Sequence, residues 1–218
     1  MVWDCRLQLT FRDRKDGTRE ARFVKFLVVG VDGPAFGSAD ELPEAHWAYM
    51  DRWADLLVVR GPTTTADGHH TGSVHVVELP DSAAAQRFAD EEPFAAAGWY
   101  STVTVAPVVP CTDGTMWDRP PAEPDRPSSF IVATFPEHRR SAVDLASWVR
   151  LRLDVTTRSR WVFCGVIGDG AGDAVGFVAM ADEAPEDAEP QTSTLLQAAG
   201  VLRPTIHPQH WRRGGRPA

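Results

Sequence analysis

His46, set in "EAHWAYM", is the residue of this 218-residue sequence whose chemistry is most readily foreseen. Its imidazole has an unperturbed pKa of about 6.5, so it exchanges protons near neutral pH. Joined to a carboxylate that holds one ring nitrogen, it becomes a general base. Such a base can take a proton from a phenol or an activated carbon, or activate water, with neither a metal nor an organic cofactor. A helical histidine also serves as a plain hydrogen-bonding residue, and residue pattern by itself leaves both roles open. His69, His70 and His75 lie close together, which raises a metal site. His69 and His70 are adjacent, however, with no cysteine or repeated His-x-His spacing beside them, so a solvated loop is the better reading and no metal is expected.

Eight tryptophans are many for this length. Trp47, Trp53 and Trp99 fall in elements expected to face a pocket, where flat aromatic walls suit a planar ligand. Ordinary core packing explains the same helical spacing and is the preferred explanation. "GDGAGDAVG" lacks the Lys-Ser/Thr ending of a phosphate loop and a helix directly after it, so it reads as a hairpin or crossover loop. Cys5, Cys111 and Cys164 are odd in number and scattered. They build neither a disulfide framework nor a CxxC knuckle, and suit a reducing cytoplasm as small buried hydrophobes.

Local patterns define the elements that must position these residues. Residues 3–11 and 19–30 read as strands about the Asp16-Gly17 turn. From Asp40 to Asp55, apolar side chains at Leu42, Trp47, Met50, Trp53 and Ala54 predict an amphipathic helix with Pro43 in its first turn. "LLVVRG" follows as a buried strand, "PTTTADGHHT" as a polar loop and "GSVHVVEL" as a strand. "DSAAAQRFADEEPF" predicts a helix capped by Asp81 or Ser82, and "STVTVAPV" a closing strand. The order β-α-β-β-α-β is the ferredoxin-like split unit.

Residues 111–128 are proline-dense and read as a semi-rigid linker. A second series then follows: "SFIVATF" strand, "SAVDLASWVRLRL" helix, "RWVFCG" and "AVGFVAMA" strands, "EPQTSTLLQA" helix, "VLRPTIH" strand. Gly61 and Gly72 bracket one hairpin as Gly165 and Gly176 bracket the other, and "AAAGWYSTVTVAP" answers to "QAAGVLRPTIHP". These marks favour an internal duplication over shared topology alone. The expected organisation is residues 1–110 as a first unit with an N-terminal hairpin extension, 111–128 as linker, and 129–218 as a degenerate second unit with a basic tail.

The stretch from Arg22 to Val109 resembles the YciI-like (YCII-related) family. The resemblance rests on "EAHW", "RGP" at Arg60–Pro62, "DGHHTGS", "ELPDSAAAQRFADEEPFAAAGWY" and the closing "VTVAP". It implies a dimeric α+β barrel with two sheets face to face around a small pocket. Here that becomes an α+β fold of two ferredoxin-like units packed as an intramolecular α+β barrel. Such closure removes the sheet edges one small unit would leave exposed. The resemblance also implies a His and an acidic residue in the pocket, and an activity such as dehydrochlorination of a hydroxylated aromatic. His46 matches the family's His, and Glu92, before Pro93, stands where the family has Asp, a carboxylate one methylene longer. Asp90 and Asp67 are the alternative carboxylates. Trp47, Arg60, Trp99 and Arg150 are expected to contact substrate. The second unit has Ser147, Trp148 and Arg150 where the first has its His, so it is expected to complete the pocket wall.

With 22 basic against 30 acidic residues, a net charge of -8 offers no footprint for nucleic acid or an anionic membrane surface. Only "HWRRGGRP" concentrates positive charge, and it reads as a solvated terminus. No leader or long apolar run is visible, and 43% hydrophobic residues suffice for a core. The expectation is a cytoplasmic monomer, internally a pseudo-dimer, or a homodimer. It would be a cofactor-independent lyase, hydrolase or isomerase acting on an aromatic or oxygenated small molecule, and residue usage suits secondary metabolism. The alternative is a non-catalytic ligand-binding or accessory protein.

Overall fold

β-Branched and aromatic residues build a long first strand, β1 (Val24–Asp32), which the computed structural model places at the centre of the first unit. The structure describes residues 24–121, 126–135, 140–153 and 160–215. The predicted strand at 3–11, residues 19–23 of the next one and Cys5 lie outside them. Helix α1 (Leu42–Arg52) follows with Pro43 in its first turn and buries Tyr49 and Met50. Strands β2 (Leu57–Thr64) and β3 (His70–Leu79) then form a hairpin. Both strands run further than the sequence suggests: Pro62, Thr63 and Thr64 are in β2 and His70 and Thr71 in β3, so the polar loop shrinks to its tip. Pairing with the partner strand overrides the local turn signal there.

The predicted single helix after β3 is two. Helix α2 (Ser82–Asp90) starts at Asp81, whose carboxylate accepts the Ala84 amide at 2.7 Å. It stops before Glu92, which caps the short α3 (Pro93–Ala96). The physical reason is Pro93, which disfavours helical backbone at the residue before it and opens a helix well at its own position. β4 (Tyr100–Pro110) closes the first unit. The second repeats the order: β5 (Ser129–Thr134), α4 (Ala142–Arg152), β6 (Trp161–Gly168), β7 (Ala174–Ala181), α5 (Pro185–Ala198) and β8 (Thr205–Trp211). "GDGAGDAVG" spans the β6–β7 hairpin, as expected of a loop.

The eight strands among the described residues form one closed antiparallel barrel in the order β1-β3-β2-β8-β5-β7-β6-β4. Within each unit the last strand flanks the first, and the first flanks the third. The seams are β2 with β8, through Thr63 opposite Trp211, and β4 with β6, through Val109 opposite Val166. Alternation along the strands divides the core into three. Val59, Val74, Val76, Phe130, Phe163, Met180 and Trp211 pack inside the barrel. Phe26, Val28 and Val77 of the sheet pack with Met50 of α1 and Phe88 of α2, and Ile131 and Phe177 with Leu145 and Val149 of α4 and Leu196 of α5.

The described part of the linker is packed rather than a plain spacer. Cys111, Thr112 and Met116 are buried, and the Thr112 hydroxyl accepts the Cys164 amide at 3.1 Å. Among the described residues no helix is long and apolar enough to cross a membrane.

Candidate active site

Glu92 is placed by its own sequence. As the cap of α3 its carboxylate accepts the amides of Phe94 at 3.1 Å and Ala95 at 3.0 Å, so the buried charge is partnered before any side chain reaches it. His46, on α1, then completes the shell. Its Nδ1 lies 2.6 Å from Glu92 Oε1, and its ring stacks flat on Phe94 at 4.4 Å. The longer carboxylate therefore still meets the histidine. With Nδ1 engaged, Nε2 is the nitrogen left for chemistry.

His75 and Ser73, two apart on β3, point to the same face as His46. Arg60 is the register partner of His75 on β2. The imidazole of His75 is 6.0 Å from that of His46. Burial first, then the neighbouring His46 and the Arg60 cation, push its pKa well below 6.5, so it is neutral near pH 7. The sign follows from linkage. Between the lowered folded value and the ordinary 6.5, the unfolded chain binds the extra proton, so stability is full above about pH 6.5 and falls as the pH drops. Replacing His75 by Gln should flatten that acid limb, by up to about 1.4 kcal/mol per pH unit for one proton. Thermal melts from pH 5 to 8 would read it, and an unchanged limb would count against a buried neutral His75.

These side chains wall a cavity of about 510 Å³. Phe36, Trp47 and Phe94 supply its flat surfaces, and His46, His70, His75 and Arg60 its polar ones. It lies between the sheet of the first unit and α1, on the outside of the barrel. The pocket expected between the two sheets is a separate, smaller one of about 210 Å³, lined by Leu27, Val29 and Ala106 of the first unit and Val132, Ile167 and Val175 of the second, and the histidines and Arg60 are not in it. The second unit supplies wall not from α4 but through its tail: the amides of Arg212 and Gly214 donate to the carbonyls of Pro62 at 3.1 Å and Arg60 at 2.8 Å. Residues 212–215 line the cavity, so the described part of the basic end continues β8 along β2 rather than standing as a solvated terminus. Arg213 is tied to Asp182 by two contacts of 3.0 and 2.8 Å and to the Met116 carbonyl at 2.7 Å.

Other expected site residues stand elsewhere. Asp90 is exposed and accepts from Gln86, and Asp67 is exposed in the β2–β3 turn with Thr65 and His69. Neither meets His46; their sequence proximity to the motifs does not survive the turn geometry. Trp99 is buried one layer back, stacked on Phe94 at 4.8 Å with its indole N–H on Ser38. Trp53 packs against Phe88. Arg150 lies 2.9 Å from Asp113 and 3.4 Å from the Pro110 carbonyl, tying α4 to the linker instead of reaching the cavity. The three clustered histidines separate: His69 is exposed beside Asp67, His75 is buried, and His70 pairs with Asp32 at 2.7 Å. Among the described residues no three His, Cys, Asp or Glu side chains gather to hold a metal ion. Sequence reasoning missed Ser73 and the tail. The spacing of Ser73 and His75 on a strand was the available signal for the first.

In the second unit the register is the same but the residues are not. Cys164 faces Ala179 as Arg60 faces His75, and Gly165 faces Val178 as Gly61 faces Val74. Phe177, Cys164 and Ala179 are fully buried, so apolar side chains occupy the positions that hold the polar ones in the first unit.

Comparison with known proteins bears on the fold and on the first unit. No curated protein matches the chain at a significant level. A solved 5-chloro-2-hydroxyhydroquinone dehydrochlorinase from Burkholderia phenoliruptrix AC1100, in complex with 2,5-dihydroxybenzoquinone, is 28% identical. The match covers 37% of this chain and 89% of that one, with a TM-score of 0.34. A candidate monooxygenase from Lactobacillus acidophilus NCFM is 9% identical over 88% of this chain and 94% of its own, with a TM-score of 0.53. Another, from Fusobacterium nucleatum subsp. nucleatum ATCC 25586, is 10% identical over 87% and 92%, with a TM-score of 0.52. These last two share the α+β fold across most of the chain. Residues 24–109, which carry His46, Glu92, His75 and Arg60, match the family model of the YCII-related domain.

Proposed function

We propose that this chain is a cofactor-independent acid–base enzyme of lyase, hydrolase or isomerase type. His46 acts as base, Glu92 orients it, and the substrate is an aromatic or oxygenated small molecule of secondary metabolism. The observation that carries this reading is the His46–Glu92 contact of 2.6 Å at the wall of a cavity of about 510 Å³. A buried carboxylate already satisfied by two amides holds the imidazole in one tautomer and orientation, which is what a general base requires. Phe36, Trp47 and Phe94 favour a flat ligand, and the Arg60 Nε, buried with no hydrogen-bond partner among the described residues, favours one bearing oxygens.

The matching registers of the two hairpins support descent of both units from one ancestral unit, the second having lost its polar site residues. On that reading residues 1–110 and 129–218 are the two copies, and the barrel is an intramolecular pseudo-dimer working in the cytoplasm, as a monomer or as a homodimer.

The test is a thermal-shift screen of phenols, quinones, lactones and aromatic acids on wild type and Glu92→Gln, with product analysis of every hit. A ligand that stabilises both, is converted by wild type and is turned over about 10–100-fold more slowly by the variant is the expected result. Ligands that bind both equally with no conversion would leave a binding protein in place of an enzyme.

A further inference from the structure

The cavity holds a second histidine–carboxylate pair. His70, the first residue of β3, places Nδ1 2.7 Å from Oδ2 of Asp32, the last residue of β1. Its ring stacks on Phe36 at 4.3 Å, as that of His46 stacks on Phe94 at 4.4 Å, and the two phenyl rings meet at 5.7 Å. Two imidazoles, each tethered through Nδ1 and backed by an aromatic ring, thus face one cavity, with no hydrogen bond to Nε2 among the described residues. The two carboxylates are not equivalent. Glu92 is met by two amides as well as by His46, whereas Asp32 Oδ1 is buried with no hydrogen-bond partner among the described residues. Asp32 is the carboxylate whose charge the protein leaves to its histidine, which suits an imidazolium there. The other ionisable side chains that share the cavity are His75, Arg60, Arg212 and Arg213.

We propose that His70, held by Asp32, is a second proton-transfer residue of this cavity and acts as the acid opposite His46. This rests on the reading of His46 as base. The substrate class is then one that gives up a proton at one atom and takes one at another, such as a hydroxylated ring that tautomerises or eliminates a leaving group. His46 removes the proton, the electron pair left behind moves into the ring, and the oxygen or departing group at the far edge takes the proton of His70. Nothing is oxidised or reduced, and no co-reactant is needed. His70 is the more exposed of the two histidines, with 26% of its side chain accessible against 13%, so water can reload it between turnovers.

The experiment titrates 4-nitrocatechol, a planar probe whose anion is coloured, into the full-length chain at several pH values. Wild type, His46→Gln, His70→Gln and Asp32→Asn are compared, each checked by near-ultraviolet circular dichroism. Wild type should bind the coloured anion. His46→Gln should bind the probe without generating the colour. His70→Gln and Asp32→Asn should still generate it but bind about tenfold or more weakly, the loss of one charge-assisted hydrogen bond, with one proton-linked limb missing from the pH profile. A purely structural His70 would not move that limb. If both His70 and Asp32 variants bind within twofold of wild type with its pH profile, or if wild type takes up no probe, the proposal is overturned. A lost response to His46→Gln with the His70 response intact would sink the base assignment instead, so the two failures are distinct.

Discussion

Replacing His46 by Ala should lower kcat/KM for the converted substrate by about 10²–10⁴-fold, the usual contribution of a positioned general base. The fold should survive. Glu92 keeps its two amide donors at 3.1 and 3.0 Å, so the change leaves no orphaned buried charge. It removes one hydrogen bond and a stacked ring, worth about 1–2 kcal/mol together. The loss should fall on kcat more than on KM, because binding rests on the aromatic walls and Arg60. Adding free imidazole should restore part of the rate, which a structural role could not explain. Undiminished turnover by a folded His46→Ala protein would remove His46 from the chemistry.

Gly61→Ala should be the most damaging conservative change to stability, at about 3 kcal/mol, the upper range of overpacking costs. A Cβ at this position would stand 1.9 Å from the Arg212 carbonyl oxygen and 2.9 Å from the Gly214 amide nitrogen, both backbone atoms that cannot turn aside. The tail must then leave β2, which breaks the amide contacts from Arg212 and Gly214 and opens both the barrel seam and the cavity wall. A fall in Tm of roughly 6–12 °C is expected for a chain of this size, together with weaker binding of any cavity ligand. The site here is a close approach of two chain segments rather than a special turn. A Gly61→Ala protein that melts with wild type would mean that the tail does not seat against β2.

Part of the candidate site is locally encoded, although the sequence reads Glu92 within one continuous helix and singles it out through the family resemblance rather than as a cap. Pro93 both ends α2 and starts α3, and Glu92 beside it becomes a cap by that fact, so its carboxylate is aimed before tertiary contacts form. His46 follows from the amphipathic spacing of α1, which puts one face on the core with Met50 and leaves the turn above it over the cavity. The resemblance to the YCII-related domain holds for residues 24–109. Asp90 and Asp67 show the limit of sequence proximity: each lies near a motif, and each turns to solvent with its own local partner. Trp99 and Arg150 were drawn toward the cavity by residue type, but packing assigns one to the layer behind Phe94 and the other to the linker.

By itself the sequence determined the order of elements and the α+β class. Both are set by periodicity, turn residues and proline within a few positions of chain, whereas the pairing of His46 with Glu92 is implied only by the family resemblance. Only the tertiary structure decided that the polar cavity lies outside the barrel under α1, that residues 212–215 form a wall of that cavity, and that His46 meets Glu92 across 46 residues of chain and His70 meets Asp32 across 38. Those outcomes depend on strand register and on which edges meet, and register is a property of pairs of distant segments that no local pattern contains.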